Sequence, residues 1–199
     1  MRKVILFGED DAHEKVLSAV IKRFSDEYSI PVDLLVRSSI GGYGKAIAEF
    51  SELLKDIDRG RELRPDMIVI ATDSNCKGLN ERLKAIRKVV PAGLIDFVVA
   101  AVPSPHIERW LLLDSASFKS ALGHGCAAPD HKCERSRYKN QLAAAVRKAG
   151  VKPLLGGVEY ADDIVRNMDM DAVMGKDEGF NQCARGLKRK FSAWRRENG

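Results

Sequence analysis

Met67-Ile68-Val69-Ile70-Ala71, followed at once by Thr72-Asp73-Ser74-Asn75, is the stretch that decides the fold. Five apolar residues in succession give way abruptly to short polar ones. That is the pattern of a strand buried on both faces and ending at the rim of a sheet. A strand with no solvent face belongs in a parallel sheet covered by helices.

The same pattern recurs on either side. Val4 to Phe7 is a short apolar run, and Val16, Leu17, Val20, Ile21 and Phe24 follow at helical spacing until Ile30-Pro31 stops them. Val32 to Val36 reads as a second strand, Gly41, Gly42 and Gly44 as a turn, and Lys45 to Ile57 as a helix with Ile47, Phe50, Leu53, Leu54 and Ile57 on one side. After the third strand come a helix from Leu79 to Val90, closed by Pro91 and Gly93, and a fourth strand from Phe97 to Val102. Strands alternating with helices predict an α/β fold: a four-stranded, mainly parallel sheet with helices on both faces.

Beyond residue 104 the pattern becomes helical. Ser104-Pro105 has the form of an N-cap followed by proline at the first helical position, opening a helix from His106 to Asp114. Gly123 to Asp130 is a loop and Tyr138 to Ala149 a helix. Pro153 to Gly157 is a second loop, and helical segments of about 160–173 and 179–196 follow. Residues 1–104 are thus expected to form the α/β core, and 105–199 a helical extension packed on it.

The chain has 199 residues, 45% hydrophobic and 31% charged, enough for a packed core and far from the composition of disorder. No apolar run approaches the ~18 residues of a membrane span, and the N-terminus lacks a secretory h-region, so the expected location is cytoplasmic and no membrane partner is expected. Cys76, Cys126, Cys133 and Cys183 are then expected to be reduced thiols. The net charge of +5 is uneven. Lys188, Arg189, Lys190, Arg195 and Arg196, with Trp194 among them, make a basic tail. It suits either a phosphate backbone or a solvated helix end.

Ligands of an open parallel sheet sit beyond the carboxyl ends of its strands. Glu9, Asp10 and Asp11 follow the first strand, and Asp73 and Asn75 follow the third. Carboxylates gathered there repel one another unless protons or a cation intervene, and hard oxygen ligands favour Mg²⁺, Mn²⁺ or Ca²⁺ over softer metals. The plain alternative is that Asp10 or Asp11 caps a helix. Elsewhere, His124, Cys126, His131 and Cys133 are of a type to hold a structural Zn²⁺, but His-x-Cys-x₄-His-x-Cys is not a known zinc-ribbon spacing, and a loop is the favoured reading. Gly41-Gly42-Tyr43-Gly44-Lys45 lacks the Walker spacing and reads as a glycine-permitted turn.

Glu9 after strand one, Asp73-Ser74-Asn75-Cys76-Lys77-Gly78 after strand three, and Pro105-His106-Ile107-Glu108-Arg109-Trp110-Leu111-Leu112-Leu113-Asp114 together resemble the TOPRIM family. The likeness is to TOPRIM-like proteins of prokaryotic defence loci related to the overcoming-lysogenization-defect nucleases. It implies a metal-dependent nuclease acting on nucleic acid, with DNA as the expected substrate, and often an ATPase partner. Glu9, Asp73 and Glu108 would be catalytic, and Glu9, Asp73 and Asn75 would hold Mg²⁺ or Mn²⁺. Asp10, Asp11, Lys77, His106 and Asp114 would stand at the margin of the site. Asn75 occupies the second acidic position of the family's Asp-x-Asp, where it offers a carbonyl oxygen without charge. That departure sustains a second reading, a non-cleaving binding or regulatory subunit. A third reading is a phosphoacceptor receiver domain, with Asp73 as acceptor and Lys152 as its lysine.

Overall fold

The computed structural model describes residues 1–39 and 41–198. Ile40 and Gly199, the last residue of the expected extension, lie outside them. The fold is α/β, and its four strands, β1 (Arg2–Gly8), β2 (Val32–Ser38), β3 (Met67–Ala71) and β4 (Val98–Ala101), lie in the order β2-β1-β3-β4, all parallel. Placing β1 and β3 side by side, with Gly8 opposite Ala71, brings the residues after both strands to one edge.

Side-chain alternation divides the core in two. Val4, Leu6, Met67, Val69, Ala71, Val99 and Ala101 face one way, against α1 (Asp11–Tyr28) and α8 (Glu178–Asn198). Ile5, Phe7, Ile68 and Ile70 face the other way, against α2 (Tyr43–Asp58) and α3 (Leu79–Val89). The segment after β4 joins the first of these layers, since Trp110, Leu111, Phe118, Leu142, Ile164 and Val165 all belong to it. The helical half therefore has no core of its own.

The bounds of α2 and α3 agree with the periodicity to within two residues, and α1 extends beyond the 16–24 stretch at both ends. The second half departs from it. The Ser104–Pro105 peptide is cis, His106 takes the N-cap position, and Ile107–Leu112 is a 3₁₀ helix rather than an α-helix reaching Asp114. Ile107, Arg109, Trp110, Leu111 and Leu112 are all buried, so contacts on every side override the helical period. Asp114 instead caps a separate helix, α4 (Ser115–Leu122), accepting the N–H groups of Ala116 and Ser117 at 3.0 and 3.2 Å. Next come α5 (Arg137–Lys148), α6 (Ala161–Arg166) and α7 (Met170–Lys176). The expected 160–173 helix divides because Asp169 leaves the helical path, donating its N–H to Asp114 and capping α7.

A buried polar cluster fixes the 3₁₀ segment. The Arg109 guanidinium bonds to Asp177, whose other oxygen accepts the Trp110 indole N–H at 3.1 Å. The expectation of reduced thiols fails for two cysteines. Cys76 and Cys133 are joined in a disulfide, with Cα atoms 5.5 Å apart, because the turn after β3 and the 123–136 loop meet in space. Among the described residues no helix is long and apolar enough to cross a membrane.

Candidate active site

Asp73 stands two residues beyond β3 and is the centre of a charged cluster. Its Oδ1 faces His13 Nε2 at 3.1 Å and accepts the Ile107 N–H at 3.0 Å, while its Oδ2 faces His106 Nδ1 at 2.9 Å. His13 is 1% exposed, and its Nδ1 lies 2.8 Å from Asp10 Oδ1. Asp10 is also the N-cap of α1, accepting the N–H groups of Ala12 and His13. The cap fixes the first turn of α1, and that turn delivers His13 to Asp73.

The electrostatics follow from this packing. Burial by itself would strip the proton from His13, but the Asp73 charge and the hydrogen bonds to Asp73 and Asp10 outweigh it and hold the imidazole protonated well above its usual range. The Asp73 carboxyl is pushed up by burial, yet the His13 charge and the two histidine hydrogen bonds bring it below its usual value. Asp10 feels desolvation too, and its bonds with His13 take it down to about 2. The His106 imidazole is raised, chiefly by its bond to Asp73. Asp73 is thus a carboxylate neutralised from within the protein.

Glu9 and Glu108 differ. Burial raises both carboxyls and Asp73 adds repulsion to each, while the His13 charge opposes the rise without reversing it. Among the described residues neither forms an ion pair; Glu9 accepts only the Asp73 N–H, at 3.3 Å. Both line one cleft of about 760 Å³ at the carboxyl edge of the sheet. Asp10 and Asp11 also line it, with Ser38, Ser39, Gly41 and Gly42 along β2–α2, and Lys139 and Leu154–Gly156 from the helical half.

The other expected site residues lie elsewhere. Asn75 sits at φ 48 in a 3₁₀ turn, its N–H bonded to Pro105, and neither it nor Lys77 lines the cleft. His106 touches Asp73 but is not on the cleft wall, and Asp114 is a helix cap. Lys152 is exposed, and no described contact joins it to Asp73, as a receiver domain would require. Cys133, bonded to Cys76, is not free to ligate zinc. His124 turns to the Gly125 carbonyl and Cys126 to that of Leu112.

The basic residues of α8 are divided. Lys188 pairs with Asp171 at 2.7 Å, and Lys190 lies over the Phe97 ring at 4.8 Å. Arg189, Arg195 and Arg196 are exposed, whereas Trp194 is buried against Phe191.

Sequence reading missed His13. Its signal was a lone polar residue in line with Val16, Leu17 and Val20 on the apolar face of α1, three residues after an aspartate.

Among the described residues no three His, Cys, Asp or Glu side chains converge to hold a metal by themselves. Mg²⁺ and Mn²⁺ keep several waters and take one or two carboxylates together with substrate phosphate oxygens, a demand that two carboxyls lining the same cleft fit in kind. Glu9 and Glu108 would be those residues, while Asp73 is turned to its histidines. No protein-family model, curated protein or solved structure matches this chain.

Proposed function

We propose that this protein hydrolyses phosphodiester bonds of nucleic acid, DNA in the first instance, in the cleft lined by Glu9 and Glu108. One observation carries the reading: two desolvated carboxyls that form no ion pair among the described residues line the same cleft at the carboxyl ends of parallel strands. Such an arrangement is stable only with a proton or a cation beside it.

Glu9 and Glu108 would hold Mg²⁺ or Mn²⁺, which when bound lowers the pKa of water and draws charge from a phosphoryl oxygen. Asp73 with His13 and His106 is a positioning unit. Its N–H group orients Glu9, and its Oδ1 anchors Ile107, the residue before Glu108. One residue, through its backbone N–H and its carboxylate, therefore helps to set the place of both glutamates. Exposed Arg189, Arg195 and Arg196 would contribute sequence-independent attraction for the nucleic-acid backbone. An ATPase partner and a place in antiviral defence rest on the TOPRIM resemblance alone.

The test is cleavage of plasmid and single-stranded DNA with Mn²⁺ or Mg²⁺, with and without excess EDTA. Nicking that stops in EDTA and in Glu9→Gln and Glu108→Gln is expected; turnover undiminished by EDTA would sink the metal role. The commitment of Asp73 to two histidines favours one second reading, a subunit that binds nucleic acid without cutting it. Salt-dependent binding with no cleavage under any divalent ion would select that reading.

A further inference from the structure

Besides its acids, the cleft is lined by groups with the chemistry of an anion site. Ser39 follows β2, and its N–H bonds the Gly8 carbonyl at 3.1 Å, which seats it beside the end of β1 and next to Glu9. It is 1% exposed and lines the cleft, yet its Oγ has no hydrogen-bond partner among the described residues. A buried hydroxyl left unbonded costs free energy that a ligand oxygen would recover.

The N-terminus of α2 opens at the same place. Gly42 stands at its N-cap with φ 78, a left-handed conformation that glycine adopts freely. No side chain caps the helix, and its first bond runs from the Ala46 N–H to the Gly42 carbonyl. Serine or aspartate would ordinarily fill an N-cap, and glycine leaves the positive end of the helix bare. A Cβ built on Gly42 would meet nothing within 4 Å, so a ligand can come up to the backbone. Lys139, exposed on α5, lines the same cleft and forms no ion pair among the described residues.

We infer that Ser39, the bare N-terminus of α2 and Lys139 form a phosphate subsite that receives a phosphoryl group of the substrate. The inference rests on the proposed phosphodiester chemistry for its biological sense, but the site itself needs no metal. The Ser39 hydroxyl and the first N–H groups of α2 donate to the phosphate oxygens, and Lys139 supplies the countercharge. The subsite holds the phosphate while Glu9, beside Ser39, faces the same space.

The test is a titration of the ¹⁵N-labelled full chain with inorganic phosphate in EDTA. Movement of the Tyr43, Gly44 and Lys45 amide signals is expected. Ser39→Ala and Lys139→Ala are each expected to weaken binding by about three- to tenfold, with unchanged thermal melting. Amides that stay still at saturating phosphate, or two variants that bind like the wild type, overturn the subsite. Short oligonucleotides with a 5′-phosphate or a 5′-hydroxyl then distinguish the sources. Equal shifts mean an internal diester, and shifts with the phosphorylated strand alone mean a terminal monoester. Phosphate binding without divalent-dependent cleavage leaves the subsite standing and removes the nuclease reading. Cleavage without phosphate-dependent shifts does the reverse.

Discussion

His13 Nε2 and Asp73 Oδ1, 60 residues apart in the chain, meet at 3.1 Å beneath the candidate site. One comes from the first turn of α1 and the other from the end of β3, so the contact ties the helix to the sheet edge at the point where the cleft opens.

Removing one member of that pair should be costly. Asp73→Ala leaves an imidazolium facing only Asp10 and deprives Ile107 of its anchor, and a loss on the order of 3 kcal/mol is expected. His13→Ala should cost a similar amount, and the double variant clearly less than the sum. Urea denaturation of the four proteins measures this; additive losses would mean that the two residues do not act as a pair.

Stability should fall on both sides of neutrality, for related reasons. The folded-state pKa values of His13 and His106 are raised above 6.5, so their contribution is fully present below 6.5 and is lost as pH rises through the raised values. Asp73 and Asp10 are depressed from 3.8, Asp10 to about 2, so their contribution is present above 3.8 and is lost as pH falls below it. These are two views of the same ion pairs and are counted once. The urea midpoint, followed across pH, should decline at the alkaline end in the wild type and less so in His13→Gln. An identical alkaline decline in both proteins would assign it to other groups.

Glu108→Gln should separate activity from stability. A carboxyl raised by burial gives its full contribution below its unfolded pKa and loses it as pH rises through the folded value, so at neutral pH it burdens the fold. The variant is expected to be as stable as the wild type or more so at pH 7, while metal-dependent cleavage drops at least about 100-fold. Activity retained in this variant would remove Glu108 from the site.

The Cys76–Cys133 bond ties the turn that follows Asp73 to the exposed 123–136 loop. A closed loop of this length is worth on the order of 4 kcal/mol in chain entropy. Reduction by dithiothreitol, or Cys133→Ser, should lower the melting temperature and hasten tryptic cleavage at Lys132 and Arg135. Equal proteolysis with and without reductant would show that the Tyr138 hydroxyl, which bonds the Lys132 N–H at 2.8 Å, suffices to hold the loop.

The α8 cations should not contribute equally to nucleic-acid binding. Arg195→Ala and Arg196→Ala should each reduce the salt slope by about one, and Lys188→Ala, whose ammonium is already paired with Asp171, by much less. Equal slopes for all three variants would make the tail a solvated helix end.

Strand and helix order through Val102 was legible because buried parallel strands are continuous apolar runs, and helices carry their own period. The Ile107–Leu112 segment was not legible as 3₁₀. Its geometry is imposed by burial on all sides and by the Asp177 bonds, which come from 65 or more residues away. Of the candidate site, Glu9 and Asp73 were marked by their places after strands, and Glu108 only by the TOPRIM resemblance of the tryptophan segment. That resemblance also joined Asp73 with Asn75 as a ligand pair, whereas the turn at Asn75 takes that residue off the cleft.

What the sequence determined by itself is the alternation of strand and helix, and with it the gathering of acidic residues at one edge, because both follow from local periodicity and the topology of a parallel sheet. Only the tertiary structure decided which acids keep their charge compensated and which do not. Whether a carboxyl finds an imidazole at about 3 Å or lines a cleft depends on chain segments far apart in sequence, and local pattern carries no information about that distance.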